Sequence, residues 1–328
     1  MSSSRSIVAD IGGTNTRVAL TDGATVLPDS IRRFANADHD GLAPVLRRYL
    51  ADAGLAGCTG ACVAVAGPVH DGVATLTNLD WTIDRAGVAA ATGAAEVAVL
   101  NDLQAQGHGL GRLAPGSLRT VIAPETPAEP KATRLVIGVG TGFNAAPVHE
   151  TPGGRIVTAS ECGHMSLPVR TESDLRLARH VEKVHGFAGV EDVLSGRGLE
   201  RLHGWCATEA GKPADAKAAD IMAAIGAGED PVAEAVGRLF VTLLGRVAGD
   251  LALVHLPFGG IYLIGGVARA FAPWFDRFGF TAAFRDKGRF SDFMGAFPVH
   301  VIEDDYAALT GCAAYLNRQI SGSTTTSR

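Results

Sequence analysis

The chain has 328 residues, of which 47% are hydrophobic and 19% charged, and a formal net charge of −5. That length suits two lobes better than one small core, and the composition is that of an ordinary globular enzyme. There is no dense block of Lys and Arg, which disfavours a nucleic-acid partner or a membrane surface, and no run is long and apolar enough to span a bilayer. Met1 to Ser6 is short and polar and leads directly into an apolar strand, so it does not read as a signal peptide. The five cysteines, Cys58, Cys62, Cys162, Cys206 and Cys312, are scattered and odd in number. They read as reduced thiols of a cytoplasmic protein rather than a disulfide framework.

In chain order, Ser6 to Leu20 reads as strand, tight turn, strand, with Gly12-Gly13-Thr14-Asn15 at the bend. Residues 39–52 repeat apolar side chains on one helical face, and Ala61 to Ala66 is a buried strand stopped by Gly67-Pro68. A helix and then a strand ending at Leu100 come immediately before Asn101-Asp102. Pro115 and residues 123–130 form a loop that suits a lobe boundary. Leu135 to His149 then repeats the opening device, with Gly140-Thr141 matching Gly13-Thr14. Residues 229–256 are expected to be a core helix, since Val232, Val236, Leu239, Leu243, Val247 and Leu251 hold near-helical spacing. A strand over Gly260 to Ile264 follows, then Gly265-Gly266 and a further helix. The Ser/Thr-rich tail, Ser321 to Arg328, is expected to be disordered.

The two Gly-Thr turns assemble phosphate ligands: backbone N–H groups, small hydroxyls, Asn15 and Arg17, with glycine allowing left-handed backbone or close approach to an anion. Neither fits the G-x-x-x-x-G-K-[ST] loop, and either alone could be a plain hairpin. Asp10 lies inside the first apolar strand, where a buried carboxylate needs a partner. Mg²⁺ held through water beside nucleotide phosphates would serve, and so would the turn N–H groups. Asn101-Asp102 sits at the carboxyl end of a strand, where cleft residues collect in α/β folds, although an Asx turn or helix cap also fits. Phosphoryl transfer requires an aligned hydroxyl, a carboxylate to accept its proton and cations on the phosphates, and Asp102 suits the base. Glu161 and His164, three apart, could face one ligand. Three residues apart also suits zinc ligation, and a core histidine remains open at His164. Glu191 alone reads as a helix N-terminal charge.

Asp10-Ile11-Gly12-Gly13-Thr14-Asn15-Thr16-Arg17 resembles the first phosphate motif of the bacterial glucokinases, in the hexokinase and actin-like ATPase superfamily. Gly138-Val139-Gly140-Thr141-Gly142 resembles their second phosphate motif, and Ile264-Gly265-Gly266-Val267 their adenosine motif. The likeness includes Thr77-Asn78-Leu79-Asp80-Trp81, Val193-Leu194-Ser195-Gly196 and the segment Phe284 to Phe290. It implies an α/β, two-lobed ribonuclease-H-like (actin-like ATPase, hexokinase-type) fold with an interlobe active-site cleft. The smaller lobe would hold 1–112 plus 304–328 and the larger 113–303. It implies ATP and Mg²⁺, with glucose phosphorylated on its 6-hydroxyl and Asp102 as base. Asn101, Asp102, Glu161, His164 and Glu191 would bind the sugar, and Asp10, Gly12, Gly13, Thr14, Asn15, Arg17, Gly140, Thr141, Gly142, Gly265 and Gly266 the nucleotide. It also implies a homodimer. The lack of any cysteine from Met165 to Gly204 sets the chain apart from the sister repressor/kinase sugar-kinase family, which carries a zinc cluster of cysteines after a similar Gly-His, so zinc is not expected.

Two places depart from the family pattern. Ser160-Glu161-Cys162-Gly163-His164 stands where Gly-Glu-Gly-Gly-His is usual, and Phe143-Asn144 stands where a small residue and Gly are usual. Extra bulk there could move preference toward mannose, fructose or an amino sugar. A Cys162 thiol lining the cleft would react with thiol reagents, whereas Cys58 and Cys62 read as core. A sugar-sensing repressor would need a DNA-binding domain ahead of a strand that begins near residue 6. A structural or chaperone-type actin-like ATPase would leave Asn101, Glu161, His164 and Glu191 without a common task.

Overall fold

The structure is a computed structural model that describes residues 5–76 and 79–325. Thr77 and Asn78, at the head of one family-like segment, lie outside the described residues, as do residues 326–328. The chain divides into two compact units, residues 1–115 with 304–328, and residues 116–303.

The first unit runs β1 (Ser6–Ile11), β2 (Asn15–Asp22), β3 (Thr25–Val26), β4 (Arg32–Ala35), α1 (Leu42–Asp52) and β5 (Gly60–Val65). It continues through β6 (Val69–His70), β7 (Val73–Thr75), β8 (Thr82–Asp84), α2 (Arg85–Thr92), β9 (Glu96–Asn101) and α3 (Asp102–Gly109). Its main sheet has the order β3-β2-β1-β5-β9, with β4 pairing on β2. β1 is antiparallel to β2 but parallel to β5, which is parallel to β9. The carboxyl ends of these three parallel strands, Ile11, Val65 and Asn101, therefore lie at one edge of the sheet, where an α/β sheet gathers its chemistry. Ile7, Ala9, Ile11, Val63 and Val65 pack on one sheet face with Leu46 and Leu50 of α1; Val8, Ala19 and Cys62 pack on the other with Leu309, Cys312 and Leu316 of the C-terminal helix.

That helix spans Ala307–Thr325, so residues 321–325 are helical rather than disordered. Ser321 shows one cause: its Oγ donates to the carbonyl of Asn317 one turn back, at 2.8 Å, which keeps a hydroxyl inside the helical pattern.

The second unit runs β10 (Leu118–Ile122), β11 (Arg134–Val139), β12 (Phe143–Thr151), β13 (Gly154–Val157), α4 (Glu172–His185), α5 (Gly196–Glu209), α6 (Ala218–Ala227) and α7 (Pro231–His255). It closes with β14 (Ile261–Ile264), α8 (Gly266–Phe271), α9 (Phe275–Phe278), α10 (Phe280–Arg285) and β15 (Val299–Ile302). The sheet order is β10-β15-β14-β11-β12-β13, with β11 and β14 parallel and Gly138 opposite Ile264. That register brings the turn after β11 beside the turn after β14.

The core helix α7 starts where local chemistry says it should. The Asp230 side chain accepts from the Val232 N–H, and Pro231 occupies a first-turn position whose missing N–H costs nothing. Phe240, Val241, Leu243, Leu244 and Val247 of this helix are fully buried. Gly245 and Gly249 let α10 approach closely, with the Phe284 carbonyl 2.6 Å from where a Cβ on Gly249 would stand.

Candidate active site

In the first unit the turn Gly12-Gly13-Thr14 joins β1 to β2, and the Gly12 N–H closes it on the Asn15 carbonyl at 3.0 Å. Asn36, from a distant segment, clamps it. Its Nδ2 donates to the Gly12 carbonyl at 2.8 Å, its Oδ1 accepts from Thr16 Oγ1 at 2.8 Å, and its backbone N–H donates to the Thr14 carbonyl. Asn15 Nδ2 donates to Thr14 Oγ1 while its Oδ1 accepts from Arg33 Nε. Of the two uses open to the turn glycines, left-handed backbone and close approach, the first is rare here. Gly12, Gly140 and Gly142 are not in that region, and only Gly265 of the turn glycines is, at φ 100°.

Asp10 stands opposite Arg17 in the β1–β2 register, and Arg17 Nη1 lies 3.1 Å from Asp10 Oδ2. The partner demanded by a carboxylate inside a strand is thus an arginine of the same hairpin. Burial still pushes the Asp10 carboxyl above its ordinary range, with Arg17 pulling the other way.

Asn101 ends β9 and caps α3. Its Oδ1 accepts from the Leu103 N–H at 3.0 Å, its Nδ2 donates to the Gly67 carbonyl at 2.9 Å, and its own N–H donates to Gln104. The helix-cap alternative therefore holds for Asn101, whose amide is engaged at both ends. Asp102 accepts from the Leu103 N–H at 2.9 Å. Burial, and then the like charge of Asp10, push the Asp102 carboxyl up to about 7. This is the acidity a general base needs near neutral pH.

In the second unit, the turn Gly140-Thr141-Gly142 joins β11 to β12. The Gly140 N–H bonds the Gly142 carbonyl, and the Gly196 N–H at the start of α5 bonds the Gly140 carbonyl at 2.8 Å. Gly265 lies against Val139 and Gly140, so the turn after β14 touches the turn after β11, and a Cβ there would strike the Val139 carbonyl. A Cβ at Gly140 or Gly266, in contrast, would meet nothing within 4 Å, so both glycines face open space.

The three acid and imidazole residues singled out in this unit come together. Glu191 Oε2 accepts from the Phe143 N–H at 2.8 Å, directly after the second turn, and its N–H donates to the Gly163 carbonyl. A Cβ on Gly142 would come within 2.5 Å of the same carboxylate oxygen, so glycine is needed for space. Glu161 and His164 flank Gly163 and are exposed, which removes the core-histidine alternative. Cys162 between them is buried, and burial pushes its thiol up, so it holds little thiolate at neutral pH. Among the described residues no cluster of three or more His, Cys, Asp or Glu could hold a metal.

Sequence reasoning missed Asn36 and Asn144. Asn36 carried no motif signal, while Asn144 was marked only as a departure.

A mixed sheet whose three parallel strands end beside a Gly-Thr hairpin and a carboxylate, followed in the chain by a second such hairpin against a Gly-Gly turn, defines the actin-like ATPase fold in its sugar-kinase form. A crystal structure of glucokinase from an Antarctic psychrotroph matches with a TM-score of 0.84 at 32% identity, covering 95% of this chain and 98% of that one. A ROK-family glucokinase from Streptomyces griseus in complex with glucose and AMPPNP shares the fold at TM-score 0.64 and 20% identity, covering 96% of this chain and 99% of that one. The Glucokinase family model matches residues 7–319. The glucokinase of Mesorhizobium japonicum is 37% identical over 310 residues, 94% of this chain and 90% of the relative. The chain belongs to the glucokinase family.

Proposed function

We propose that the chain is an ATP-dependent hexose kinase that phosphorylates the 6-hydroxyl of glucose, giving glucose 6-phosphate and ADP. The observation that carries the reading is the Asp102 carboxyl at the end of β9, lifted to about 7 by burial and by Asp10. Asp102 accepts the proton of the sugar 6-hydroxyl, whose oxygen attacks the γ-phosphorus. The bond to the β–γ bridging oxygen breaks and ADP leaves with that electron pair. Gly12, Gly13, Thr14, Asn15 and Arg17 hold phosphate from one turn, and Gly140, Thr141 and Gly142 from the other. Gly265 and Gly266 leave room for the adenosine. Glu161, His164 and Glu191 take sugar hydroxyls together with Asn101 and Asp102. Each polar group in such a set would be left unpaired by a sugar lacking the matching hydroxyl, which makes the set selective.

Asp10 is the residue that would hold Mg²⁺, through water. Two carboxyls whose pKa values are raised by burial, one bonded to a single arginine, fit a cation brought in on the nucleotide better than a closed protein cage. When bound, Mg²⁺ supplies neutralisation of phosphoryl charge. The enzyme belongs in the cytoplasm, where its five free thiols stay reduced. Among the described residues no helix is long and apolar enough to cross a membrane. It works as a homodimer by resemblance to its family, which sedimentation at working concentration checks.

Release of ADP measured over a panel of hexoses with Mg-ATP tests the reading. Glucose-dependent release is expected. Release driven better by mannose, fructose or an amino sugar would reassign the substrate, and sugar-independent release would overturn the kinase reading.

A further inference from the structure

We propose that Asn144, which in this chain stands where the family pattern usually has glycine, is the positioning residue that aims Glu161 at the sugar. The inference rests on the sugar-kinase reading above and deepens it. Asn144 is the second residue of β12, two positions after Gly142. Its Oδ1 receives the Ala145 N–H at 2.9 Å and the Cys162 N–H at 3.1 Å, with Cys162 Sγ at 3.5 Å and with Ser160 Oγ at 3.0 Å, whose one proton is shared with the Ala145 carbonyl at 2.7 Å. Its Nδ2 donates to Glu161 Oε2 at 3.1 Å.

The orientation of this amide follows from its neighbours. Turning it over would face its NH₂ toward two backbone N–H donors and set its oxygen against a carboxylate, so only one arrangement satisfies the groups present. Donors from both sides of Glu161 hold the amide, and the amide in turn holds Glu161. The residue before it does the same for the other acid, since the Phe143 N–H bonds Glu191. The first two residues of β12 thus fix the spacing of two sugar carboxylates directly behind the second phosphate turn. Glycine at position 144 could not tie down the Ser160–Cys162 segment. Aspartate could keep those bonds but would set a second negative charge beside Glu161.

Glucose binding by calorimetry across wild type, Asn144→Ala, Glu161→Gln and the double variant tests this, alongside KM for ATP. Loss of a hydrogen bond to a charged group should weaken glucose by about tenfold in Asn144→Ala. In the Glu161→Gln background the same change should cost less than about twofold, because Asn144 acts through Glu161. KM for ATP should move less than either. Additive losses, or wild-type affinity in Asn144→Ala, overturn the inference.

Asn144→Asp, nearly the same shape, gives the same comparison should the alanine variant fail to fold. The ionisable group against the pair is Cys162, with Sγ 3.5 Å from Asn144 Oδ1; Glu191 is bonded one residue earlier, at the Phe143 N–H, and His164 follows Glu161 by three residues. Two adjacent carboxylates resist ionising together, so the loss should appear at pH 8 and be partly recovered at pH 6, beyond any change in wild type. Equal losses at both pH values overturn the inference. A wild-type protein that binds no glucose would instead overturn the sugar-kinase reading itself.

Discussion

Replacing Asp102 by Asn should abolish turnover and make the protein more stable. Burial and the charge of Asp10 raise the Asp102 carboxyl from 3.8 to about 7 in the folded chain. Its folded pKa thus lies above its unfolded one. The stability this group contributes is present in full below about pH 4 and is lost as pH rises through about 7. The ionised wild type at pH 8 is therefore the disfavoured form, by on the order of 4 kcal/mol if the shift converts fully. Asp102 remains partly accessible, and relaxation of nearby water brings the expected cost to about 2 kcal/mol. Asparagine keeps the shape and can still accept the Leu103 N–H without carrying charge. Asp102→Asn should therefore melt a few degrees above wild type at pH 8, with the gap closing toward pH 4. Coupled ADP release should meanwhile fall by about 10² or more. Thermal melts from pH 4 to 8 without ligands, with the rate assay beside them, decide the matter. A variant no more stable than wild type at pH 8, or one that still turns over, refutes the reasoning.

The same acidity sets a rate profile. In the wild type, kcat/KM for glucose should rise about tenfold from pH 6 to pH 8 as Asp102 loses its proton, and a flat profile would remove it as base. Asp10→Asn deletes the like charge beside Asp102, so the acid limb should shift to lower pH whatever happens to the maximal rate. An unmoved limb would deny the coupling. Gly265→Ala places a side chain at φ 100° and against the Val139 carbonyl, a strain of about 1–3 kcal/mol. Lower melting temperature and weaker ATP binding are expected, and a fully native variant would mean the adenosine turn tolerates a side chain.

Much of the fold was legible because its punctuation is local. Glycine and β-branched residues mark both hairpins, Asp230-Pro231 marks the start of the longest helix, and the run into Asn101-Asp102 marks a strand ending at a site. The contacts that tune the site were harder to read, for two reasons. The Arg17–Asp10 pair was in principle visible, because a short turn at Gly12 to Thr14 sets these residues opposite each other once the register is fixed. The Asn36 clamp was not visible, since a buried amide 24 residues from Gly12 leaves no periodic trace. Asn101 was read as a sugar ligand or a helix cap, and its amide does close the turn on Gly67 and cap α3. Sequence cannot say that one amide fills the second role while its other Nδ2 hydrogen and Oδ1 lone pair stay available for the first.

The placing of Arg17 explains why Asp102, of the two carboxylates at this sheet edge, is suited to take a proton. Arg17 is bonded to Asp10 and draws its pKa down against burial. Asp102 has no such cation among the influences on it. It receives the repulsion of Asp10, opposed only by neutral donors at the head of α3 and by Asn101. One arginine on β2 thus favours the ionised form of Asp10 against burial, and negative charge on Asp10 in turn raises the proton affinity of Asp102. Moving the guanidinium to a position equidistant from both acids would lower the two together and leave neither with a pKa near neutrality. A base of intermediate strength therefore depends on an asymmetric ion pair, and the hairpin register from Ser6–Thr21 to Ile11–Thr16 is what makes it asymmetric.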